Sequence, residues 1–374
     1  MDIFGKKIWQ VAAGDTNRNY ADLCLYWDVI LNGPGSEGAW PGCEKILREE
    51  WELSSRKITD LRRFAEEIHD GDIIVLRMGT TDILGIGMVV GDYIWNEEFG
   101  DIDGWDLQHV RRVKWLWKYD GTPKRFDTYS LKFGDTVQLM DSQVVIDWIT
   151  GHSIDQNSTE RPLIELPVPS KDIGWEKIAE YLFDQGVASN AIENITTEID
   201  ELIRISKWYQ RTGGPSEAET VAYLAIPLLR SLGWTPQKMA IEWCSVDIAL
   251  FSTLPRLDNN LKVVVEAKQK DYSCLNAQSQ AKTYAEQDGR NTCNRLIVTD
   301  GVRYGVYFKQ DGAFPNEPHA YLNLTRMRDE YPLLKCKGAK EAFLFMSADW
   351  VPSSMKTQQS LAPDGNSAAL RSRG

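Results

Sequence analysis

The chain has 374 residues, of which 43% are hydrophobic and 26% are charged, which is ordinary for a globular protein and long enough for two domains. No apolar run approaches the ~18 residues needed to span a bilayer, and the opening MDIFGKKIWQ lacks the apolar core of a signal peptide. These features argue against an integral membrane protein. We expect a cytoplasmic protein without a membrane partner.

The net charge of −12, from 42 basic and 54 acidic side chains, argues against tight, indiscriminate DNA binding, because phosphate contacts normally come from Lys and Arg. Basic side chains nevertheless cluster locally, and solvated surface is the usual meaning of such clusters. The cluster residues that we expect to contact the DNA backbone are Arg56, Lys57, Arg111, Arg112 and Lys114.

Six cysteines are scattered without a C-x-x-C pair, and four histidines are equally dispersed. This pattern argues against a zinc site and against a disulfide framework. Carboxylates are therefore the expected ligands of any metal ion.

Residues 1–142 are predicted to form a mainly β domain. The runs GDIIVLRMG and ILGIGMVVGDYIW, separated by Thr-Thr-Asp, indicate a hairpin, and HVRRVKWLWK indicates a further strand. Between Cys43 and His69 the pattern is helical, with Ser54 or Ser55 as the predicted N-cap. Several strands with one or two helices favour a small barrel over a doubly wound sheet.

Several stretches of this segment share a pattern with a known group of domains. IWQVAAGD, the regions of Trp27 and Trp40, and GDIIVLRMG followed by GIGMVVG together resemble PUA-like domains, particularly the EVE and YTH group, over roughly residues 7–118. The resemblance implies a PUA-like β-barrel with a pocket that holds a flipped, often modified, base.

Tryptophan is concentrated in this segment, since eight of the 14 Trp lie in the first 118 residues. Aromatic faces suit a pocket for an extruded base, because stacking is worth ~1–3 kcal/mol per base. The alternatives are tryptophans that fill the barrel core and polar residues that only make turns. The candidate pocket residues are Trp9, Asp15, Asn17, Trp27, Asn32 and Trp40.

The acidic run EEFGDIDGWD, from Glu97 to Asp106, raises the question of a second metal site. Its glycine interruptions and the absence of EF-hand spacing favour an exposed loop. We therefore expect no metal there.

Residues 143–212 are predicted to be a linker and a helical connector. PLIELPVPS is an extended, proline-marked stretch, and helical patterns follow at about Trp175–Gln185 and Ser189–Gln210. In the second helix Ile192, Ile195, Ile199 and Leu202 form one apolar stripe. We favour packing of the stripe on the following domain over pairing with a second subunit, because it is short for a coiled coil.

A third segment, residues 213–350, begins with Ser216-Glu217-Ala218-Glu219, which has the spacing of a capping box. Pro227 is expected to kink the helix that follows, and Gly233 to end it.

Further along, WCSVDIAL and LKVVVEAKQ flank a turn-rich PRLDNN and are predicted to pair as a hairpin. Strand alternation places Glu266 and Lys268 on one face, and pairing can bring Asp247 beside Glu266. Two adjacent carboxylates favour an intervening cation, of which Mg²⁺ is the usual choice. Lys268 could then orient or deprotonate a water for attack on a phosphate.

This Asp…Glu-x-Lys set resembles the core of the PD-(D/E)XK nuclease superfamily. With SEAETVAYLAIPLLRSLGW upstream and QAKTYAEQ and LIVTDGVRYGVYF downstream, residues 216–308 resemble the N-terminal nuclease domain of type I restriction enzyme motor subunits. The resemblance implies a restriction-endonuclease-like α/β domain whose mixed sheet leans towards parallel.

The same resemblance implies a set of site residues. Asp247, Glu266 and the Ala267 carbonyl would hold Mg²⁺, for which Mn²⁺ is expected to substitute. Glu219 would be a further ligand, with Glu217 as the rival position. Gln280 and Tyr284 match a Gln-x-x-x-Tyr element, and they lie one turn apart on a predicted helix. Their implied role is to position phosphate or water, and a core Tyr beside a surface Gln is the alternative.

The expected whole is a reader domain, a connector, a nuclease domain and a disordered tail at residues 351–374. Its expected activity is modification-dependent cleavage of double-stranded DNA carrying 5-methylcytosine or hydroxymethylcytosine, in restriction or phage defence. Cutting both strands normally needs two sites, so a homodimer is expected. The alternatives are a DNase or RNase effector triggered by RNA or a nucleotide, and a non-cleaving adaptor that binds modified nucleic acid.

Overall fold

The structure, a computed structural model, describes residues 5–15, 18–132, 134–151 and 161–351. It is a mixed α/β protein with a curled half-barrel sheet in the first part of the chain and a second, mixed sheet in the remainder. None of the helices in the described ranges is both long and apolar enough to cross a bilayer. The predicted disordered tail lies outside the described residues, except for Val351.

The first sheet has seven strands in the order β4-β7-β6-β5-β1-β9, with β8 paired to β6. Its strands are β1 (Ile8–Ala12), β4 (Val29–Asn32), β5 (Ile73–Met78), β6 (Asp82–Trp95), β7 (His109–Lys118), β8 (Lys124–Arg125) and β9 (Val137–Leu139). A small ribbon of β2 (Gly14–Asp15) and β3 (Arg18–Asn19) follows β1. The predicted β5–β6 hairpin and the β7 strand are confirmed.

Helices cover this sheet at α1 (Ala21–Trp27), α2 (Glu44–Glu49), α3 (Ser55–Arg62) and α4 (Gln143–Gly151). The Ser54 side chain accepts from the Lys57 backbone N–H and so caps α3, as the sequence predicts. A π-helical turn, Arg63–Glu67, continues α3. Helix α4 buries Val145 and Ile149 against the sheet, so the start of the predicted connector packs on the first domain.

The second sheet has eight strands in the order β10-β11-β12-β13-β14-β15-β17-β16. The strands are β10 (Met239–Trp243), β11 (Val246–Phe251), β12 (Leu261–Ala267), β13 (Arg295–Thr299), β14 (Arg303–Phe308), β15 (Ala320–Asn323), β16 (Glu330–Tyr331) and β17 (Cys336–Lys337). The predicted hairpins β11–β12 and β13–β14 are confirmed. The expected parallel lean is wrong, because only β12–β13 and β15–β17 pair in parallel within the described part of the sheet.

The helices of this part are α5 (Trp175–Asp184), α6 (Ser189–Thr212), α7 (Glu217–Thr220), α8 (Ile226–Ser231), α9 (Gln278–Ala285) and α10 (Ala339–Met346). A π-helical turn, Val221–Ala225, joins α7 to α8, and Pro227 stands in the first turn of α8. The predicted kink near Pro227 is therefore a widened π-helical turn. Pro227 has no N–H to donate, and its place in the first turn of α8 requires no such hydrogen bond.

Helix α6 packs within its own chain. Its stripe of Ile192, Ile195, Ile199 and Leu202 is buried in one core with residues of the second sheet such as Val265. Each fully buried isoleucine or leucine contributes about 1.5–3 kcal/mol. The preference for intramolecular packing is confirmed, and α5 and α6 extend the core of the second domain.

The acidic segment, Glu97–Asp106, lies between the two sheets. Glu98, Asp101 and Asp103 are buried there, together with the apolar Phe99 and Ile102. The expectation of an exposed loop is wrong, because arginines of the second domain pair with these carboxylates. Glu98 and Arg328, both buried, form one such ion pair at 3.0 Å.

Candidate functional site

Asp247 and Glu266 meet across two antiparallel strands. Ile248 of β11 pairs with Val265 of β12, so the next step of the register sets Asp247 opposite Glu266. The Oδ2 atom of Asp247 accepts a hydrogen bond of 2.8 Å from the Ala267 backbone N–H. The structure thus brings the two carboxylates together as strand alternation predicts.

Glu266 is fully buried, and within the described residues neither of its carboxylate oxygens has a hydrogen-bond partner of normal geometry. Burial, followed by the negative charge of Asp247, raises the pKa of Glu266 to about 8. The backbone N–H of Asp247, which is nearby but outside normal hydrogen-bond geometry, and the positive charge of Lys268 lower this pKa without offsetting burial and the Asp247 charge. Because buried polar groups normally have partners, this carboxyl is suited to receive a cation.

Lys268 follows on the same strand face and is held from a neighbouring helix. Its Nζ donates to Oε1 of Gln280 at 3.1 Å, and Nε2 of Gln280 donates to the Tyr284 hydroxyl at 3.4 Å. Helix α9 is fixed beside β12 because Ala281 and Ala285 share a buried core with Val264. The predicted helix face with Gln280 and Tyr284 therefore does lean towards the carboxylates.

Glu219 acts as a helix cap in the structure. Its Oε2 accepts from the Ser216 backbone N–H and hydroxyl, both at 2.8 Å, while the Ser216 hydroxyl accepts from the Glu219 N–H. These hydrogen bonds lower the pKa of the exposed Glu219 carboxyl. The structure therefore favours the capping box over the metal-ligand interpretation, since the same oxygen is already engaged.

The described parts of the chain contain no group of three or more His, Cys, Asp or Glu side chains arranged to hold a metal ion. The site offers two carboxylates, of Asp247 and Glu266, and the backbone carbonyl of Ala267. This set fits Mg²⁺, which is commonly bound by one or two carboxylates and keeps several waters. The two partnerless oxygens of Glu266 support the fit.

Trp9, Trp27 and Trp40 do not form a pocket. Trp9 is 1% exposed and donates to Asp72 at 2.9 Å, and Trp40 is buried and donates to Glu66 at 2.7 Å. Trp27 packs at the domain boundary and donates to the Leu333 carbonyl at 3.2 Å. The prediction is wrong for Trp9 and Trp40, because both rings are buried and their N–H groups have acceptors; the half-buried Trp27 does not line the cavity of the first domain.

A cavity of about 800 Å³ does open in the first domain, between the end of β4, the β2–β3 ribbon and the acidic segment. Of the predicted pocket residues, Asn32 lines it. Its Oδ1 accepts from Lys57 Nζ at 2.9 Å. Asn17 and the side chain of Asp15 lie outside the described residues.

Two aromatic residues, Tyr20 and Trp105, line the cavity, and the guanidinium of Arg18 lies over the Trp105 ring. The cations that line the cavity have partners: Lys57 pairs with Asp60 at 3.0 Å, and Arg77 donates to the Gly79 carbonyl at 2.7 Å. Trp105 is not among the predicted pocket residues, because it stands in the acidic segment, whose glycine interruptions predict an exposed loop. The signal that could have found it is a tryptophan between a glycine and an aspartate in a loop.

The residues predicted to contact the DNA backbone are mostly structural. Arg111 is 4% exposed and donates to the Phe64 and Ala65 carbonyls, so its assignment is wrong. Strand alternation turns it inward beneath α3 and its π-helical turn. Arg112 donates to two backbone carbonyls, and Arg56 pairs with Asp135. Lys57 lines the cavity, and Lys114 is half-buried.

The two sites thus define a chain with a carboxylate–lysine cluster in one domain and a cavity in the other. A family model described as "Domain of unknown function (DUF8426)" matches residues 9–147, a range that contains the first sheet from Trp9 onward and the cavity. No curated protein and no solved structure matches the chain.

Proposed function

We propose that the protein is a metal-dependent endonuclease that cleaves double-stranded DNA carrying modified cytosine, in restriction or phage defence. One observation carries the proposal: Asp247 lies opposite a buried Glu266 whose oxygens have no hydrogen-bond partner among the described residues, with Lys268 on the same face. A carboxylate pair beside a lysine is the donor set expected for cation-assisted attack on a phosphodiester.

Each residue has a distinct part in this chemistry. Asp247, Glu266 and the Ala267 carbonyl would hold Mg²⁺ or Mn²⁺, which supplies charge stabilisation at the phosphate when bound. Lys268 orients the attacking water as an ammonium, or accepts its proton as a neutral amine. Gln280 holds the Lys268 side-chain nitrogen by a hydrogen bond of 3.1 Å, and Tyr284 supports Gln280 in turn.

The cavity of the first domain is the proposed site for an extruded 5-methylcytosine or hydroxymethylcytosine. Trp105 offers a stacking face, which is worth ~1–3 kcal/mol per base. Asn32 and Lys57 offer polar groups for the hydrogen-bonding edge of the base. Arg18 lies over the Trp105 ring, so a base that stacks on this face displaces the guanidinium.

The proposal includes assembly and location. Cutting two antiparallel DNA strands uses two active sites, so we propose that the protein acts as a homodimer. Restriction of incoming DNA takes place in the cytoplasm, which is the proposed location.

The test is digestion of three matched duplexes, unmodified, with 5-methylcytosine and with hydroxymethylcytosine, in Mg²⁺ or Mn²⁺. We expect cleavage of at least one modified duplex and none by Asp247→Asn. Glu286→Gln, which changes an exposed carboxyl just after α9, is the matched control and should cut normally. Failure of the wild-type protein to cut any duplex with either metal contradicts the proposal.

A further inference from the structure

The acidic segment belongs to both sites of the molecule. At its end, Trp105 and Asp106 line the cavity, and the Asp106 carbonyl accepts from the Gly35 N–H at 3.2 Å. A few residues earlier, Asp101 and Asp103 are buried against the second domain. The residues at the cavity wall are therefore within five residues, along the chain, of those that contact the second domain.

Asp103 holds the chain that leads into α9. Its carboxylate accepts from the Ser273 hydroxyl, from the Cys274 N–H at 3.2 Å and from the Leu275 N–H at 3.0 Å. Leu275 begins a 3₁₀ turn that runs directly into α9. The position of Asp103 thus sets the start of the helix that carries Gln280.

Arg303 forms a second connection. Its guanidinium lies 3.8 Å from Asp101 of the acidic segment and 2.6 Å from Asp300, the residue that follows β13. Gly104 packs directly on this guanidinium, since a Cβ there would stand 2.7 Å from the Arg303 Cζ. Asp300 also accepts from the Asp271 N–H at 3.2 Å, three residues after Lys268.

The opposite end of the acidic segment is anchored. Glu97 pairs with Arg326 at 2.6 Å, and the buried Glu98 pairs with Arg328 at 3.0 Å. Removing one partner of a buried ion pair is strongly destabilising, so the Glu98–Arg328 contact resists displacement. A displacement at the cavity wall therefore reaches Asp101 and Asp103 before it reaches this anchored end.

We propose that the acidic segment couples the cavity to the carboxylate site, so that a base which displaces Arg18 and stacks on Trp105 shifts Asp103 and resets the hold of Gln280 on Lys268. The inference rests on the proposed function and adds its regulation. Coupling of this kind is reciprocal in binding free energy, because each site biases the same element. By repositioning Lys268 through Gln280, a modified base in the cavity would then raise the cleavage rate as well as the affinity.

Hydrogen–deuterium exchange of the full chain tests the coupling without DNA or metal. Trp105→Ala and Met78→Ala each change a side chain that lines the same cavity, and only Trp105 belongs to the acidic segment. We expect Trp105→Ala to speed exchange in residues 271–285 several-fold and Met78→Ala to leave it unchanged. Equal exchange of residues 271–285 in the two variants overturns the proposal.

Ser273→Ala removes one donor to Asp103 and changes no residue of either site. In this background Trp105→Ala should have a smaller effect on exchange in residues 271–285, since one connection is weakened. Gly104→Ala, which presses on Arg303, provides a second variant of the same link. An undiminished Trp105→Ala effect in both backgrounds contradicts coupling through the acidic segment.

Cleavage assays separate this inference from the proposed function. In Ser273→Ala the ratio of modified to unmodified cleavage should fall at least tenfold, while cleavage of unmodified DNA in Mn²⁺ stays at the wild-type rate. If modified DNA is cut and Ser273→Ala leaves the ratio of modified to unmodified cleavage unchanged, the proposed function stands and the coupling is overturned. If Trp105→Ala speeds exchange in residues 271–285 but no duplex is cut, the coupling stands and the nuclease function is overturned.

Discussion

The carboxylate site and the cavity are built in opposite ways. Asp247, Glu266 and Lys268 come from two neighbouring strands, and the cavity is lined by residues from Ala12 to Thr136. Glu266 is buried without a hydrogen-bond partner among the described residues, while Lys57 of the cavity pairs with Asp60 and Asn32. The carboxylate site therefore needs a cation from its ligand. In the cavity, a ligand must replace hydrogen bonds that the lining residues already make with one another.

The largest effect is expected from substitutions that disrupt only the carboxylate site. Asp247→Ala or Lys268→Ala should lower DNA cleavage by roughly 10²–10⁴-fold, the range for loss of a positioned catalytic group. DNA binding should stay nearly intact, because the cavity is untouched. Cleavage rates and gel-shift affinities measured together check this, with Lys238→Ala, an exposed lysine of the same domain, as control. Equal loss of binding and cleavage would give these residues a structural role.

The next effect concerns stability at the same site. Because the pKa of Glu266 is about 8 when folded and 4.5 in its ordinary state, ionisation opposes folding between these pH values. In metal-free buffer Glu266→Gln should raise the free energy of unfolding by about 3 kcal/mol at pH 7 and abolish cleavage. The gain should vanish below about pH 4.5, where the wild-type carboxyl is protonated in both states. Urea denaturation with a chelator measures it, and a lower stability at pH 7 contradicts the prediction.

A third prediction separates core from cavity tryptophans. Trp105→Ala should weaken binding of modified DNA by about 1–3 kcal/mol, the loss of one stacking face. Trp9→Phe should leave that affinity unchanged and lower stability by about 1–3 kcal/mol, since Asp72 loses a buried donor. Binding isotherms and thermal melts decide it. If Trp9→Phe weakened binding of modified DNA and Trp105→Ala lowered only stability, Trp9 rather than Trp105 would be the pocket residue.

The smallest expected effect is a pH dependence beside the cavity. Burial lowers the pKa of His109 to about 4, and its ring nitrogens lie 2.6 Å from the Tyr93 hydroxyl and 2.9 Å from the Pro34 carbonyl. The unfolded chain takes up the proton first, so His109 removes about 1 kcal/mol of stability at pH 5.5. His109→Gln should flatten the fall in unfolding free energy between pH 7 and 5.5. An unchanged slope contradicts a buried, neutral His109.

Local periodicity explains what the sequence could predict. Alternation along β12 sets Glu266 and Lys268 on one face, and the turn-rich PRLDNN sets the hairpin that brings Asp247 to them. The spacing of Ser216 and Glu219 likewise predicts the capping box that the structure contains. These features depend on neighbours within a few residues or across one hairpin.

Contacts distant in sequence explain what could not be predicted. In the sequence, Arg111 is one member of a basic cluster. It becomes a buried donor to backbone carbonyls only because α3 and its π-helical turn pack on β7. Nothing in the sequence of the acidic segment indicates that its carboxylates pair with Arg303 and Arg328, some 200 residues later. Tertiary partners, which no local pattern encodes, decide whether a charge is surface or core.

Titration of Mn²⁺ into the DNA-free protein tests most directly the claim that Asp247 and Glu266 hold a divalent cation. Calorimetry or electron paramagnetic resonance should detect a saturable site in the wild-type protein and in Glu286→Gln. The site should be absent in both Asp247→Asn and Glu266→Gln. Equal binding in all four proteins, or none in the wild type, would contradict the claim.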